Sequence, residues 1–212
     1  MLALPRLWLA RRRLRGAARR NEKILRQDAR AAEAYLTSLT TLKHHHPGIQ
    51  YDREFAAAFF FSSNLALDLT AAVLLSTSFW NRRRRRFLWR TIAVTLYEGM
   101  TQLQDFALPA LSLFLQRRLE APDLLSAQKT FAKHLSRLEH DHAGYLCDIK
   151  DNSPAHKEPA YEDFVRSRAS IDEARLTACL TEFFLVQTQA QKLFRAALRE
   201  SQLKIRNRPS PR

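Results

Sequence analysis

Apolar residues recur every three or four positions over several long stretches of this chain, which is the period of one face of an α-helix. The two clearest stretches are residues 124–149 and 176–197, where the spacing alternates between four and three. Similar rows of apolar positions, here called seams, run through residues 24–42 and 88–106. The seam at residues 124–149 belongs to the fourth predicted helix and is called the fourth seam; it comprises Leu124, Gln128, Phe131, Leu135, Leu138, His142, Tyr145 and Ile149. The last seam comprises Leu176, Leu180, Phe183, Gln187, Ala190, Phe194 and Ala197.

Proline and glycine separate these seams. The sequence HHHPG at residues 44–48 ends the first helix, and Pro122 closes the segment before the fourth seam. Pro109 kinks or ends the third helix, and Pro154 with Pro159 breaks the chain ahead of the last one. Asp52 is the predicted N-cap of the second helix, and Ser170 with Glu173 has the spacing of a capping box before the last. These features predict an all-α fold, an antiparallel helical bundle of five to six helices.

The most apolar stretch, residues 55–80, has two interpretations. Its length suits a membrane-spanning helix, which needs about 20 predominantly apolar residues. Asn64 and Asp68 lie near its middle, however, and an aspartate at mid-bilayer costs roughly 2.5 to 3.5 kcal/mol. We therefore favour the central helix of a bundle over a membrane span. In that interpretation Asp68 is buried and needs a donor, for which we expect Arg90 or a serine hydroxyl.

The net charge of +14 is concentrated in three segments. Residues 1–20 hold seven arginines and no acidic residue, five consecutive arginines follow Asn81, and residues 199–212 are also basic. The remainder of the chain is close to neutral. We therefore expect the three basic segments to contact anionic surfaces rather than to stabilise the fold. We expect residues 1–20 to be a basic extension outside the fold, residues 21–203 to form one domain, and residues 204–212 to be a disordered tail.

The N-terminal extension resembles organelle presequences and membrane-surface helices, and it is also what a start codon placed too far upstream would produce. Cys147 and Cys179 are far apart and belong to no CxxC pair, which is typical of a reducing compartment. These observations predict a cytoplasmic protein and leave targeting by residues 1–20 open.

Metal and cofactor sites find no support in the sequence. His44, His45 and His46 are consecutive, so on a helix they point in different directions. Glu139 and His142 form a single ExxH, whereas di-iron bundles use two. We expect His142 to be a hydrogen-bonded core histidine. Four scattered glycines cannot build a phosphate-binding loop, and no GxSxG is present, so we predict no metal and no cofactor.

One segment, at the end of the fourth seam, has a composition suited to catalysis. Lys150 is followed by Asp151 and Asn152, and Ala155 with His156 comes a few residues later. A helical bundle with a basic residue, a polar residue and a histidine just before its last helix resembles the HEPN domain family. The family carries arginine where this chain has Lys150, which makes a weaker phosphate clamp because it lacks a bidentate fork.

The resemblance implies a metal-independent ribonuclease in which the 2′-hydroxyl of RNA attacks the adjacent phosphate. His156 would move a proton, Lys150 would stabilise the charge on the phosphate, and Asp151 or Asn152 would orient the histidine. It also implies RNA as partner and a homodimer as assembly. The alternative interpretation is an ordinary helix end, where Lys150 complements the helix dipole and His156 is merely exposed.

The five arginines give a second function hypothesis. Arg82, Arg83, Arg84, Arg85 and Arg86 are followed by Phe87 and Trp89, a composition that suits contact with RNA or with anionic lipid. A non-catalytic helical protein that binds a protein or nucleic acid through this block is the alternative to an RNA-cleaving enzyme. A membrane-anchored protein with residues 55–80 as its span is the third.

Overall fold

The computed structural model describes residues 3–41, 49–78, 82–151 and 171–206. All of these residues are helical except Glu120, Ala121, Ile171 and Asp172. The helices are α1 (Ala3–Thr41), α2 (Ile49–Ser78), α3 (Arg82–Gln102), α4 (Leu108–Leu113), α5 (Pro122–Asp151) and α6 (Glu173–Arg206), with two π-helical segments, π1 (Leu103–Ala107) and π2 (Phe114–Leu119). The predicted all-α fold is confirmed, and the described residues contain no strand.

Residues 82–119 form one continuous rod, because π1, α4 and π2 follow α3 without a break. Of the two outcomes predicted for Pro109, an end of the helix is wrong, because the helix continues past it for ten residues. Since proline cannot donate to the ladder, the helix needs a local change of hydrogen bonding, and π1 directly precedes it, closed by a bond from the N–H of Leu108 to the carbonyl of Leu103. The helical rod ends at Glu120, which has a left-handed φ of 50°, and Pro122 then begins α5 as predicted.

The helices adjacent to α2 run antiparallel to it. Phe55 stacks on Phe114 with ring centroids 4.0 Å apart, and Phe61 meets Phe106 at 6.4 Å. Residue numbers thus increase along α2 in the direction in which they decrease along the 82–119 rod, so the two helical elements are antiparallel. The same Phe55 ring lies 5.6 Å from Phe194 of α6, so aromatic residues of three elements meet in the core.

Helix α2 lies at the centre of the bundle and contacts α1, the 82–119 rod and α6. Ser62 and Ser63 are fully buried there and hydrogen-bonded, as the core interpretation requires. Among the described residues, the segment Ile49–Ser76 is the one stretch long and apolar enough to cross a membrane, and half of its most apolar window is buried within the bundle. Phe79 and Trp80, the end of the predicted stretch, lie outside the described residues.

The prediction that Asp68 is a buried carboxylate, with Arg90 or a serine hydroxyl as its donor, is wrong. Asp68 is exposed, because it lies on the outward side of α2, opposite the faces that pack in the core. Arg90 is half-buried on α3, and burial lowers the pKa of its guanidinium.

The predicted boundaries of the domain also change. Helix α1 begins at Ala3, and Leu14 and Ala18 are buried in the hydrophobic core, so the second half of the predicted basic extension is part of the fold. At the other end α6 continues to Arg206, and the Lys204 ammonium donates a hydrogen bond to the carbonyl of Leu119. Only residues 207–212 of the predicted tail lie outside the described residues.

The last seam is confirmed at every one of its seven positions, all of which are buried. The fourth seam is buried at five of its eight positions and half-buried at Leu124, His142 and Tyr145. The start of α6 differs from the predicted capping box. Asp172 is the cap, because its Oδ1 accepts hydrogen bonds from the backbone N–H groups of Ala174 and Arg175, at 2.9 and 3.2 Å. Ser170 lies outside the described residues.

Candidate functional site

The predicted catalytic residues fall at the end of α5. Lys150 and Asp151 are the last two residues of that helix. Asn152 and His156 lie outside the described residues, as do His44, His45 and His46. Whether His156 meets Lys150 therefore stays a prediction, and the environment of Lys150 is what the structure provides.

Lys150 is held against α3. Its Nζ lies 5.0 Å from the centroid of the Tyr97 ring and 3.9 Å from Oε1 of Glu98. The Lys150 side chain is 29% exposed and that of Glu98 is 51% exposed, so this ion pair contributes no more than about 1 kcal/mol to stability. Together the ring and the carboxylate give the ammonium a preferred position while leaving it accessible to a second anion.

Asp151 is oriented back along its own helix. Its Oδ2 accepts a hydrogen bond from the Cys147 thiol at 3.3 Å, and this contact raises the pKa of Cys147. The hydrogen bond between Cys147 and Tyr97 is the main cause of a raised pKa for Tyr97. Cys147 is consequently a neutral thiol at physiological pH, which argues against a role as nucleophile.

The five arginines are the first five residues of α3. The first turn of α3 contains no acidic residue, so their charge adds to the positive end of the helix dipole. Helix α3 therefore carries both the arginine block and, about 18 Å further along its axis, the residues that hold Lys150. The two basic features of the sequence belong to one pair of packed helices, α3 and α5.

The ExxH histidine is engaged in packing. His142 Nε2 lies 3.2 Å from Oε2 of Glu182 on α6, and its side chain is 12% exposed, in line with the expected hydrogen-bonded core histidine. Within the described ranges, no group of three or more histidine, cysteine, aspartate or glutamate side chains is arranged to hold a metal ion.

Two polar clusters were not predicted from the sequence. On α6, Gln187 donates to the carbonyl and the hydroxyl of Ser62, at 2.6 and 2.8 Å, and Gln191 donates to the same hydroxyl at 3.3 Å. Beside them, the buried Asp28 of α1 pairs with Arg195 at 3.2 Å, and burial raises the pKa of Asp28 to about 6.

A small cavity of about 50 Å³ opens between α1 and α6 next to these clusters, and its lining includes Gln187, Gln191 and Arg195. The partners in each cluster are more than 120 residues apart, and no local pattern in the sequence connects them.

The fold and these contacts define the class of protein as an all-α helical bundle. No protein-family model matches the chain, and neither a curated protein nor a solved structure resembles it significantly.

Proposed function

We propose that this protein binds RNA across α3 and α5 and cleaves it in a reaction that needs no metal. The observation that supports the proposal is the position of Lys150, held by Tyr97 and Glu98 of the helix that begins with five arginines. A phosphodiester that follows α3 from Arg86 towards Glu98 would reach the Lys150 ammonium at the end of α5.

The proposed chemistry assigns one role to each residue. The 2′-hydroxyl of the ribose attacks the adjacent phosphorus and loses its proton, the bond to the 5′-oxygen of the next nucleotide breaks, and that oxygen takes up a proton. His156 moves a proton in this exchange, Lys150 stabilises the added negative charge on the phosphate, and Asp151 or Asn152 orients the imidazole. The loose pairing of Lys150 with Glu98, at 3.9 Å, is compatible with transfer of the ammonium to a phosphate.

The test of cleavage is a nuclease assay on single-stranded RNA in the presence of a chelator. We expect His156→Ala to abolish cleavage and Lys150→Ala to reduce it at least about 100-fold, the range for loss of a preorganised charge at the reacting centre. Lys133→Ala is the matched control, because Lys133 is an exposed lysine on the same helix. Equal rates for His156→Ala and the parent would refute the catalytic role.

The test of binding is a filter assay over a series of salt concentrations. Replacing residues 82–86 by serine should weaken binding and flatten its salt dependence, because each lost phosphate contact lowers the slope by about 0.9 for a duplex and 0.7 for a single strand. A protein with three exposed arginines elsewhere replaced, Arg30, Arg117 and Arg137, should keep the slope of the parent. Unchanged binding by the 82–86 variant would remove this block from the proposed interface.

A non-catalytic binding protein is the second candidate. The contact between Lys150 and Glu98 favours it, since a carboxylate near the ammonium offsets part of the charge that a phosphate clamp needs. Salt-dependent RNA binding without cleavage by the parent would establish this candidate and exclude the enzyme.

A further inference from the structure

One face of α2 is covered less than its other faces by the helices that the structure describes. The residues along it are exposed or half-buried, whereas those on the opposite faces are buried. We call this face the outer stripe, and the residues that matter on it are Arg53, Ala57, Phe61, Asn64, Asp68 and Ala71. Between its two charged members the stripe carries Ala57, Phe61 and Asn64, all half-buried, and no charged residue.

The two charges of the outer stripe are opposite in sign and lie far apart along it. Arg53 and Asp68 are 15 residues apart, about 22 Å along the helix axis. Arg53 uses one N–H group on the carbonyl of Leu39, at 3.4 Å, which leaves most of its donors available. Asp68 has no ion pair with any described residue and is exposed. The stripe is therefore complementary to an apolar surface on which the two charges occur in the reverse order.

A second copy of this chain provides that surface. We propose that the protein forms a twofold homodimer in which the outer stripes of two α2 helices pack antiparallel, with the twofold axis between Phe60 and Phe61. In this register Arg53 of each copy faces Asp68 of the other. The twofold axis therefore generates two equivalent ion pairs, as an isologous interface requires.

The aromatic residues fit the same centre. Phe106 of π1 lies edge-on to Phe61, with centroids 6.4 Å apart, and is 39% exposed. Because the twofold axis is perpendicular to α2, it brings the 82–119 rods of both copies to the same side of the interface, with Phe106 close to the axis. Leu113, also 39% exposed, extends this apolar surface. Interface energy is typically concentrated in such central aromatic residues, with charged pairs at the edge fixing the register.

A lipid surface is the competing partner for an apolar stripe. Asp68 opposes it, because an unpaired carboxylate would lose its contact with water against an apolar lipid surface. The charges that disfavour insertion into lipid are the ones that a second copy would neutralise, so the observations favour the dimer.

Sedimentation equilibrium on the full chain tests the proposal by charge exchange. We expect a dimer, and we expect Arg53→Asp and Asp68→Arg each to weaken association about tenfold or more by placing like charges opposite each other. The double variant restores opposite charges in reversed order, so its association should return to within about threefold of the parent. Circular dichroism should show the same helix content for all variants, because both positions are exposed.

Two further variants sharpen the test. Phe106→Ala should weaken association, whereas Leu75→Ala should not, because Leu75 is 51% exposed but lies beyond the paired segment. A monomeric parent, a double variant no better than the single ones, or a monomer that binds vesicles of phosphatidylcholine and phosphatidylglycerol through the stripe would each overturn the proposal. These outcomes are independent of any result with RNA.

Discussion

Asp52 of α2 is bonded through both carboxylate oxygens to the guanidinium Nε of Arg118 in π2, at 3.3 and 3.2 Å. The hydroxyl of Tyr35 on α1 donates to the same carboxylate at 3.1 Å. The sequence predicts Asp52 as the N-cap of α2, and this is wrong, because α2 already begins at Ile49. A buried carboxylate instead links three helical elements.

Removing this carboxylate should destabilise the fold strongly. Asp52→Ala leaves Arg118, whose side chain is only 19% exposed, without its anion, and we expect a loss of about 3 kcal/mol in the free energy of unfolding. Urea titration followed by circular dichroism measures this loss. Asp105→Ala, at an exposed acidic residue of π1, should change stability by less than about 0.5 kcal/mol. Comparable losses for the two variants would contradict the role of Asp52.

Gly99 in α3 and Gly144 in α5 should respond in opposite directions to substitution by alanine. A Cβ at Gly99 would lie 2.5 Å from Cδ1 and 3.1 Å from Cγ of the buried Leu65, so Gly99→Ala should cost about 1 to 3 kcal/mol through overpacking. At Gly144 a Cβ meets no atom within 4 Å, and Gly144→Ala should stabilise the protein by about 0.5 to 1 kcal/mol through helix propensity. Thermal unfolding of the two variants decides this. A stabilised Gly99→Ala protein would show that α2 and α3 are not packed this closely.

Asp28 should make stability fall as pH rises. Burial raises its pKa from 3.8 to about 6 in the folded protein, so between these values the folded state binds more protons than the unfolded state. Its contribution is therefore present below about pH 4, falls as pH rises through 6, and amounts to about 3 kcal/mol in total. Asp28→Asn should lack this dependence, and the difference between the two unfolding free energies measured from pH 4 to pH 7 isolates it. A constant difference would refute the assignment.

The contacts of Ser62 with Gln187 predict unequal costs for their substitution. Gln187→Ala removes both hydrogen bonds to Ser62 and leaves a cavity, for an expected cost of about 2 to 4 kcal/mol. Ser62→Ala keeps the 2.6 Å bond to the backbone carbonyl but loses the bonds that its hydroxyl accepts from Gln187 and Gln191, and because it leaves almost no cavity it should cost only about 1 to 2 kcal/mol. Chemical denaturation of both variants tests this order, and the reverse order would contradict the hydrogen-bonding pattern.

The seams show what the sequence can predict in this fold. On α6 every step between seam positions is four or three residues, and all seven positions are buried, because a long amphipathic helix has a readable phase. Helix α2 is apolar on most sides, and its polar residues do not reveal which face is outermost. Asp52, Ser62 and Ser63 are buried, whereas Arg53 and Asp68 are exposed, so polarity alone did not place Asp68.

The N-terminal boundary was missed for a different reason. Residues 1–20 are strongly basic, which predicts an extension outside the fold. Leu14 and Ala18 nevertheless lie on the same helix face as Leu25 and are buried with it. Pairs such as Asp28 with Arg195 join positions far apart in the chain, and nothing local to either residue predicts the other. For the candidate site, the sequence located Lys150 at a helix end but not the Tyr97 ring beneath it.

The π segments make the length of the 82–119 rod as important as its composition. A π turn holds one residue more than an α turn, and π1 precedes Phe114 in an uninterrupted helix. Deleting one residue from π1 would leave the number of residues of an α turn, so the helix after it, with Phe114 stacked on Phe55, would keep its orientation. Deleting one residue from α4 would instead rotate Phe114 by about 100° away from that stack. The position of a single-residue deletion in this rod would thus decide its cost more than the side chain that it removes.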